Sequence, residues 1–212
     1  MSSTQTSREY TTGERALLLQ TALAAIKSGL DSGKPLTVDP DEYPEPLQQA
    51  RACFVTLNNA DGSLRGCIGS LEPGKPLVND VAQNAFAAAF RDPRFPPLRP
   101  EELEGLVLQL SVIGPQEAVT CDSEETLLAN LRPGIDGLIL QTPGRRATFL
   151  PAVWESLPQP RQFLAHLREK AGLAADYWSD TLQFWRYTTE SFSATVAGIE
   201  ESAGNTVNLS RE

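Results

Sequence analysis

Several absences narrow the reading before any motif is found. The chain has no run of 18 or more apolar residues, and Met1–Tyr10 is polar throughout. Neither a membrane helix nor a secretory signal is therefore expected, and the chain reads as soluble and cytoplasmic. Histidine occurs once, at His166, so a His-rich metal cluster is excluded and no bound metal is expected. The three cysteines, Cys53, Cys67 and Cys121, are odd in number and widely spaced, which fits neither a disulfide framework nor a zinc ribbon. Such usage fits a reducing compartment. There is no Gly-x-x-x-x-Gly-Lys-Ser/Thr loop, no dinucleotide fingerprint after a strand, no Gly-x-Ser-x-Gly elbow and no Cys-x-x-x-Cys-x-x-Cys run. Phosphate-loop, dinucleotide and iron–sulfur chemistry are thereby set aside, and no cofactor is expected. Positive charge is also scarce: 18 Lys and Arg against 27 Asp and Glu give a formal net charge of -9. That balance argues against nucleic acid or an anionic membrane as the main partner.

What remains is ordinary globular material. At 212 residues and 41% apolar content the chain can form one sizeable domain or two small intertwined ones without metals or disulfides. Thr11 and Glu14 form a capping box ahead of Ala16, Leu17, Leu19, Leu23, Ala24 and Ile26 at helical spacing, with Gly29 as the expected stop. The proline-rich and acidic stretch 34–46 predicts an extended surface loop. Residues 53–57 and 64–71 predict a hairpin around Asn58-Asn59-Ala60-Asp61-Gly62, followed by a helix over 77–90 and a strand over 106–113. A short helix over 123–131 precedes a second such set. It comprises a hairpin, 137–142 and 145–150, turned at Pro143-Gly144, a helix over 162–171 and a strand over 182–187. Hairpin, helix, strand thus occurs twice. The pattern predicts an α+β fold with mainly antiparallel sheet, packed helices and an internal duplication. The expected organisation is a flexible segment 1–12, a folded region 13–199 in two intertwined halves with a boundary near 115–135, and a polar tail 200–212.

The stretch most able to carry chemistry is Leu64-Arg65-Gly66-Cys67-Ile68-Gly69-Ser70 on the return strand of the first hairpin. Gly66 and Gly69 leave the backbone bare on either side of the thiol, so a ligand or another main chain can approach. Arg65 is a permanent cation that would favour the thiolate of Cys67 if it lay on the same side of the strand. Two readings of Cys67 stand side by side: a nucleophile or acid that lacks a histidine nearby in sequence, and a small buried apolar residue. Cys53 and Cys121 read as core or incidental. Asp92-Pro93-Arg94-Phe95-Pro96-Pro97-Leu98 sets a carboxylate, a guanidinium and an aromatic ring on a stiff loop. Asp92 and Arg94 there either bind a ligand or pair with each other, and Arg65 with Arg94 would make an anion site if they converge. His166 and Lys170, four apart on one helix, read as a solvated face or as a proton shuttle and a cation beside a cleft. Trp154, Trp178 and Trp185 read as core or interface anchors.

Leu64–Ser70, Asp92–Leu98, Phe149-Leu150-Pro151 and Lys170-Ala171-Gly172-Leu173 occur in an order and at distances that resemble the AMMECR1-domain family, over roughly residues 13–195. Ala152 departs from the glutamine that relatives commonly carry after the Leu-Pro. The resemblance implies a small α+β domain, raises Lys170 as a site residue, and implies a pathway context. Bacterial relatives are often encoded beside a Memo-like protein and a radical SAM protein, as component A of the AmmeMemoRadiSam set. The family's biochemical activity is not established. Two functions therefore stand open. One is a thiol enzyme acting on a small anionic metabolite or partner-delivered intermediate, with Cys67 catalytic and Arg65, Gly66, Gly69, Asp92, Arg94 and Lys170 binding. The other is a non-catalytic ligand-binding or scaffold module working with the Memo-like and radical SAM proteins.

Overall fold

A computed structural model describes residues 9–209, with side chains as far as residue 204. The chain divides into two compact units. One is built from residues up to Ile113 and from Glu190 onward, the other from Gly114–Thr189. Segment 1–8 and residues 210–212, parts of the expected flexible start and polar tail, lie outside the described residues.

The first unit opens with α1 (Thr12–Ser32), held at its start by the capping box. Glu14 N donates to Thr11 Oγ1 at 3.2 Å, and Thr11 N donates to Glu14 Oε2 at 2.7 Å. The helix runs one turn past Gly29 and ends at Gly33, whose φ of 69° is the left-handed cap that glycine adopts without strain. Gly29 is needed for a different reason: a Cβ there would lie 2.1 Å from the Phe90 ring. After a short 3-10 turn and α2 (Glu45–Gln48), the strands β1 (Cys53–Asn58) and β2 (Leu64–Gly69) form the predicted hairpin. Next come α3 (Leu77–Phe90) and β3 (Val107–Ile113). Alternation along β1 buries Cys53, Val55 and Leu57 against the helices and leaves Phe54, Thr56 and Asn58 half-buried on the other face. The helix and the hairpin are tied by Asp80, a buried residue of α3. Its Oδ2 accepts from Cys53 N at 2.9 Å, Ser70 Oγ at 2.7 Å and Asn84 Nδ2 at 3.0 Å.

The second unit carries β4 (Glu117–Ala118), α4 (Glu124–Asn130), β5 (Gly137–Thr142), β6 (Arg145–Phe149), α5 (Pro160–Lys170) and β7 (Gln183–Tyr187). Gly144 takes a φ of 74° in the β5–β6 turn. Trp154 and Phe163 stack at 3.8 Å between centroids inside this unit's core, and Trp178 stacks on Phe184. Two of the three tryptophans are therefore packed anchors. The chain then returns to the first unit with β8 (Thr189–Thr195) and α6 (Val196–Leu209).

The fold is α+β with two antiparallel four-stranded sheets, ordered β2-β1-β3-β8 and β4-β7-β5-β6. In both, the first strand of the hairpin is central and the strand that follows the helix pairs on its other side, which is the repeated grammar of the sequence made geometric. The stretch from Glu200 to Leu209, expected as a polar tail, continues α6, with Ile199 in the core and Lys27 of α1 bonded to Glu200.

Candidate functional site around Cys67

The site is set by an irregularity in the β1–β2 ladder. Leu57 pairs with Gly66 while Asn58 pairs with Leu64, so Arg65 is an extra residue and forms a bulge. Two apart on a regular strand, Arg65 and Cys67 would share a face, and the bulge takes Arg65 out of that alternation. Its guanidinium forks onto Glu102, which sits in a 3-10 turn (Pro100–Gly105), with Nε 2.8 Å from Oε1 and Nη2 3.3 Å from Oε2. Nη2 also donates to Pro96 O at 3.0 Å. Arg65 is only 6% exposed, and its Nη1 has no hydrogen-bond partner among the described residues. Glu102 also accepts from Arg99 N at 2.9 Å, and the Arg65 guanidinium is the main cause that holds its carboxyl down at about 2.

Cys67 lies one residue beyond Gly66, on the outer edge of the sheet. Its N–H donates to Asp92 Oδ2 at 2.8 Å, and its carbonyl accepts from Arg94 Nη2 at 3.1 Å. Asp92 and Arg94 also bond each other, with Nε 2.9 Å from Oδ1 and Nη2 2.7 Å from Oδ2. Together they offer β2 an acceptor and a donor where a neighbouring strand would, and so cover that part of the edge. The Asp92 carboxylate is 1% exposed and the Arg94 side chain 53%. Arg94 beside it, with the Cys67 N–H, holds Asp92 well below the usual carboxylate range. Asp92 in return raises Arg94, and Cys67 is among the lesser causes acting the same way. The thiol is half-buried, and Thr56 Oγ1 donates to Sγ at 3.2 Å from the paired position on β1.

Arg65 and Arg94 do converge on one object, the Phe95 ring, with guanidinium carbons 5.9 and 5.6 Å from its centroid. Each is neutralised by its own carboxylate, so they do not present two free cations to an anion. The glycines, read as open approaches for a ligand or a main chain, are occupied from within. A Cβ on Gly66 would lie 2.2 Å from Ala88 O of α3, and one on Gly69 would lie 2.3 Å from the Phe54 ring. Gly66 is thus a close backbone approach between strand and helix.

Lys170 and His166 belong to the second unit. Lys170 Nζ donates to Thr148 O at 3.0 Å and lies 5.1 Å from the Phe149 ring centroid. His166 is half-exposed and bonds Glu169 at 2.9 Å, the solvated-face reading. Cys53 is fully buried, and desolvation pushes its thiol well up; burial raises Cys121 too, helped by Asp122. Thr56 and Glu102 were missed in the sequence. Thr56 is recoverable from hairpin register, whereas Glu102 is 37 residues from Arg65 with no local signal. Among the described residues no group of three His, Cys, Asp or Glu could hold a metal ion, and no helix is long and apolar enough to cross a membrane.

A family model described as AMMECR1 matches residues 19–192, which contain both motif loops and both sheet cores. The chain belongs to the AMMECR1 family. A protein of Methanothermobacter thermautotrophicus is 36% identical over 185 residues, 84% of this chain and 93% of its own length. One from Thermotoga maritima is 38% identical over 174 residues, 81% and 94%. The crystal structure of uncharacterized protein PH0010 from Pyrococcus horikoshii superposes with a TM-score of 0.80 at 33% identity, covering 88% of this chain and 94% of that one.

Proposed function

We propose that this AMMECR1-domain protein is a thiol enzyme in which Cys67 is the nucleophile and the exposed side of Arg94 meets the negative group of a small anionic metabolite or of an intermediate delivered by another protein. The observation that carries this reading is the setting of Sγ: half-buried, accepting a hydroxyl bond from Thr56, on the strand whose carbonyl Arg94 holds. A hydroxyl donor and a nearby guanidinium are the company a reactive sulfur needs when no histidine stands beside it. Arg65 enters as a positioning residue, since it anchors the bulge through Glu102. Asp92 positions Arg94. Lys170 is outside this reading.

The second reading, a binding or scaffold module working with Memo-like and radical SAM proteins, draws on one specific observation. Asp92, Arg65 and most of Arg94 are occupied by internal bonds. The two readings separate in one experiment, the pH dependence of alkylation at each cysteine of the native protein, resolved by mass spectrometry, in wild type and Arg94→Gln. The enzyme reading expects Cys67 to react fastest of the three, and more slowly in Arg94→Gln at every pH below the free-thiol range. An inert Cys67 in folded protein overturns the enzyme reading in favour of the module.

A further inference from the structure

Away from Cys67, a groove of about 500 Å³ runs along α3 in the first unit. One wall is the extended segment Pro35–Val38, held to the helix by Asn79 Nδ2 donating to Val38 O at 2.8 Å. The other is the face of α3 that carries Asn79, Ala82, Gln83, Phe86 and Ala87, with Lys75 just before the helix and Arg91 just after it. The volume lies within the range of small-molecule sites, and Leu36, Val38, Ala82, Phe86 and Ala87 give it an apolar middle.

The charges are distributed unevenly along it. Lys75 and Arg91 flank α3 at opposite ends, and the 14-residue helix between them is about 21 Å long at a rise of ~1.5 Å per residue. At the Lys75 end the charges are already satisfied. Lys75 donates to Gln83 and lies 4.0 Å from Asp80, whose other oxygen takes three hydrogen bonds. At the other end Arg91 is exposed, and its guanidinium carbon sits 5.0 Å from the Phe86 ring centroid. Its guanidinium makes no hydrogen bond or ion pair among the described residues, in a chain with 27 acidic side chains. A guanidinium rested on an aromatic face with its N–H fork unoccupied is preorganised for a planar, two-oxygen anion.

We propose that this groove is a binding site for a small carboxylate with an apolar body. The carboxylate is taken bidentately by Arg91, and the body lies along Ala87 between Leu36 and Val38, the groove's half-buried apolar residues. Asp80 is nearer the far end, about 16 Å along the helix axis from Arg91 at ~1.5 Å per residue, so its charge does not oppose the ligand head. The site is independent of Cys67.

The test uses the full chain, uniformly labelled with nitrogen-15, titrated with octanoate and with octanamide while amide shifts are followed. Saturable shifts confined to residues 35–38 and 79–91, at least about tenfold weaker binding of octanamide, and a similar weakening of octanoate in Arg91→Gln are expected; about tenfold corresponds to ~1.4 kcal/mol, a modest charge-assisted pair. Equal binding of octanoate and octanamide, or octanoate binding unchanged in Arg91→Gln, overturns the carboxylate assignment. Absence of saturable shifts with both probes overturns the site. Cys67→Ser, which leaves the groove untouched, is expected to bind octanoate like wild type, so failure here is distinguishable from failure of the thiol reading.

Discussion

Replacing Glu102 with Gln tests whether the Arg65 clamp, rather than the bulge alone, holds the Cys67 strand. Arg65 is almost fully buried and Glu102 is 25% exposed, so the pair is shielded from salt and water more than a surface bridge. The Glu102 carboxyl is lowered from 4.5 to about 2 in the folded chain, with Arg65 the largest cause. A gap of ~2.5 units at ~1.36 kcal/mol each gives the ionised form about 3 kcal/mol of stabilisation at neutral pH. Because the folded value is depressed, that contribution is complete above the unfolded value of 4.5 and is lost as pH falls through about 2. Linkage leaves about 1.4 kcal/mol of it at a pH of roughly 3. Urea unfolding of wild type and Glu102→Gln at both acidities reads the difference directly. With a slope of ~2 kcal/mol/M, the midpoint at neutral pH should drop by about 1.5 M. The gap between the two proteins should then narrow by about 2 kcal/mol on going to a pH of roughly 3. A gap that stays constant across that range would falsify the claim that the ionised pair carries the stabilisation, and would leave shape and neutral hydrogen bonds as its source.

Gly66→Ala places a methyl group 2.2 Å from a backbone oxygen of α3, which no rotamer can relieve. A loss of about 3 kcal/mol or more is expected in urea unfolding, and a loss under ~0.5 kcal/mol would mean that helix and strand are not locked together. Asp92→Asn removes the charged acceptor for Cys67 N–H and loosens Arg94, with an expected cost of about 2 kcal/mol at neutral pH. Since Asp92 is held below its ordinary 3.8, that cost should fade as pH drops beneath that value. The same variant uncovers the outer edge of β2, and sedimentation velocity should show added self-association; a strictly unchanged monomer–oligomer balance counts against the edge-cover role. Gly33→Ala, at a φ of 69°, should lower the thermal midpoint by a few degrees through a strained cap costing about 1 kcal/mol, read by circular dichroism at 222 nm.

Local rules made most of the regular structure legible. The Thr11–Glu14 box, the helix over 77–90 and both hairpins lie where periodicity and turn residues put them, because each is decided by neighbours within a few positions. The misses share a cause. β8 reads Thr-Glu-Ser-Phe-Ser-Ala-Thr, mostly polar and weakly periodic, and becomes a strand because β3 offers it an edge. α6 follows this polar strand and is fixed by Val196 and Ile199 packing into a core whose other buried members run from Tyr10 to Val112. Gly29 was read as a helix stop because glycine often is one, and the Phe90 ring that requires it is 61 residues away. At the site, the return strand that carries Cys67 was legible from the hairpin pattern. The bulge at Arg65 and the direction of its guanidinium were not, since Glu102 competes for it from outside any local window.

The four sequence islands that mark the family meet in pairs, each pair within one unit. Leu64–Ser70 joins Asp92–Leu98 through Cys67, Asp92, Arg94 and the shared Phe95 ring. Lys170, opening the fourth island, reaches the third through the Phe149 ring and bonds Thr148 O just before it. Much of each motif is therefore accounted for by holding its partner: glycine for close approach, carboxylate for a strand edge, guanidinium for a buried carboxylate. Such residues would identify the family whether or not it catalyses anything. Subtracting them leaves the Cys67 sulfur and the outer side of Arg94 as the groups around the first motif that folding does not fully use. On the proposed thiol reading any chemistry at this site passes through those two, which is why alkylation of Cys67 in wild type and in Arg94→Gln can separate an enzyme from a module without knowledge of the substrate.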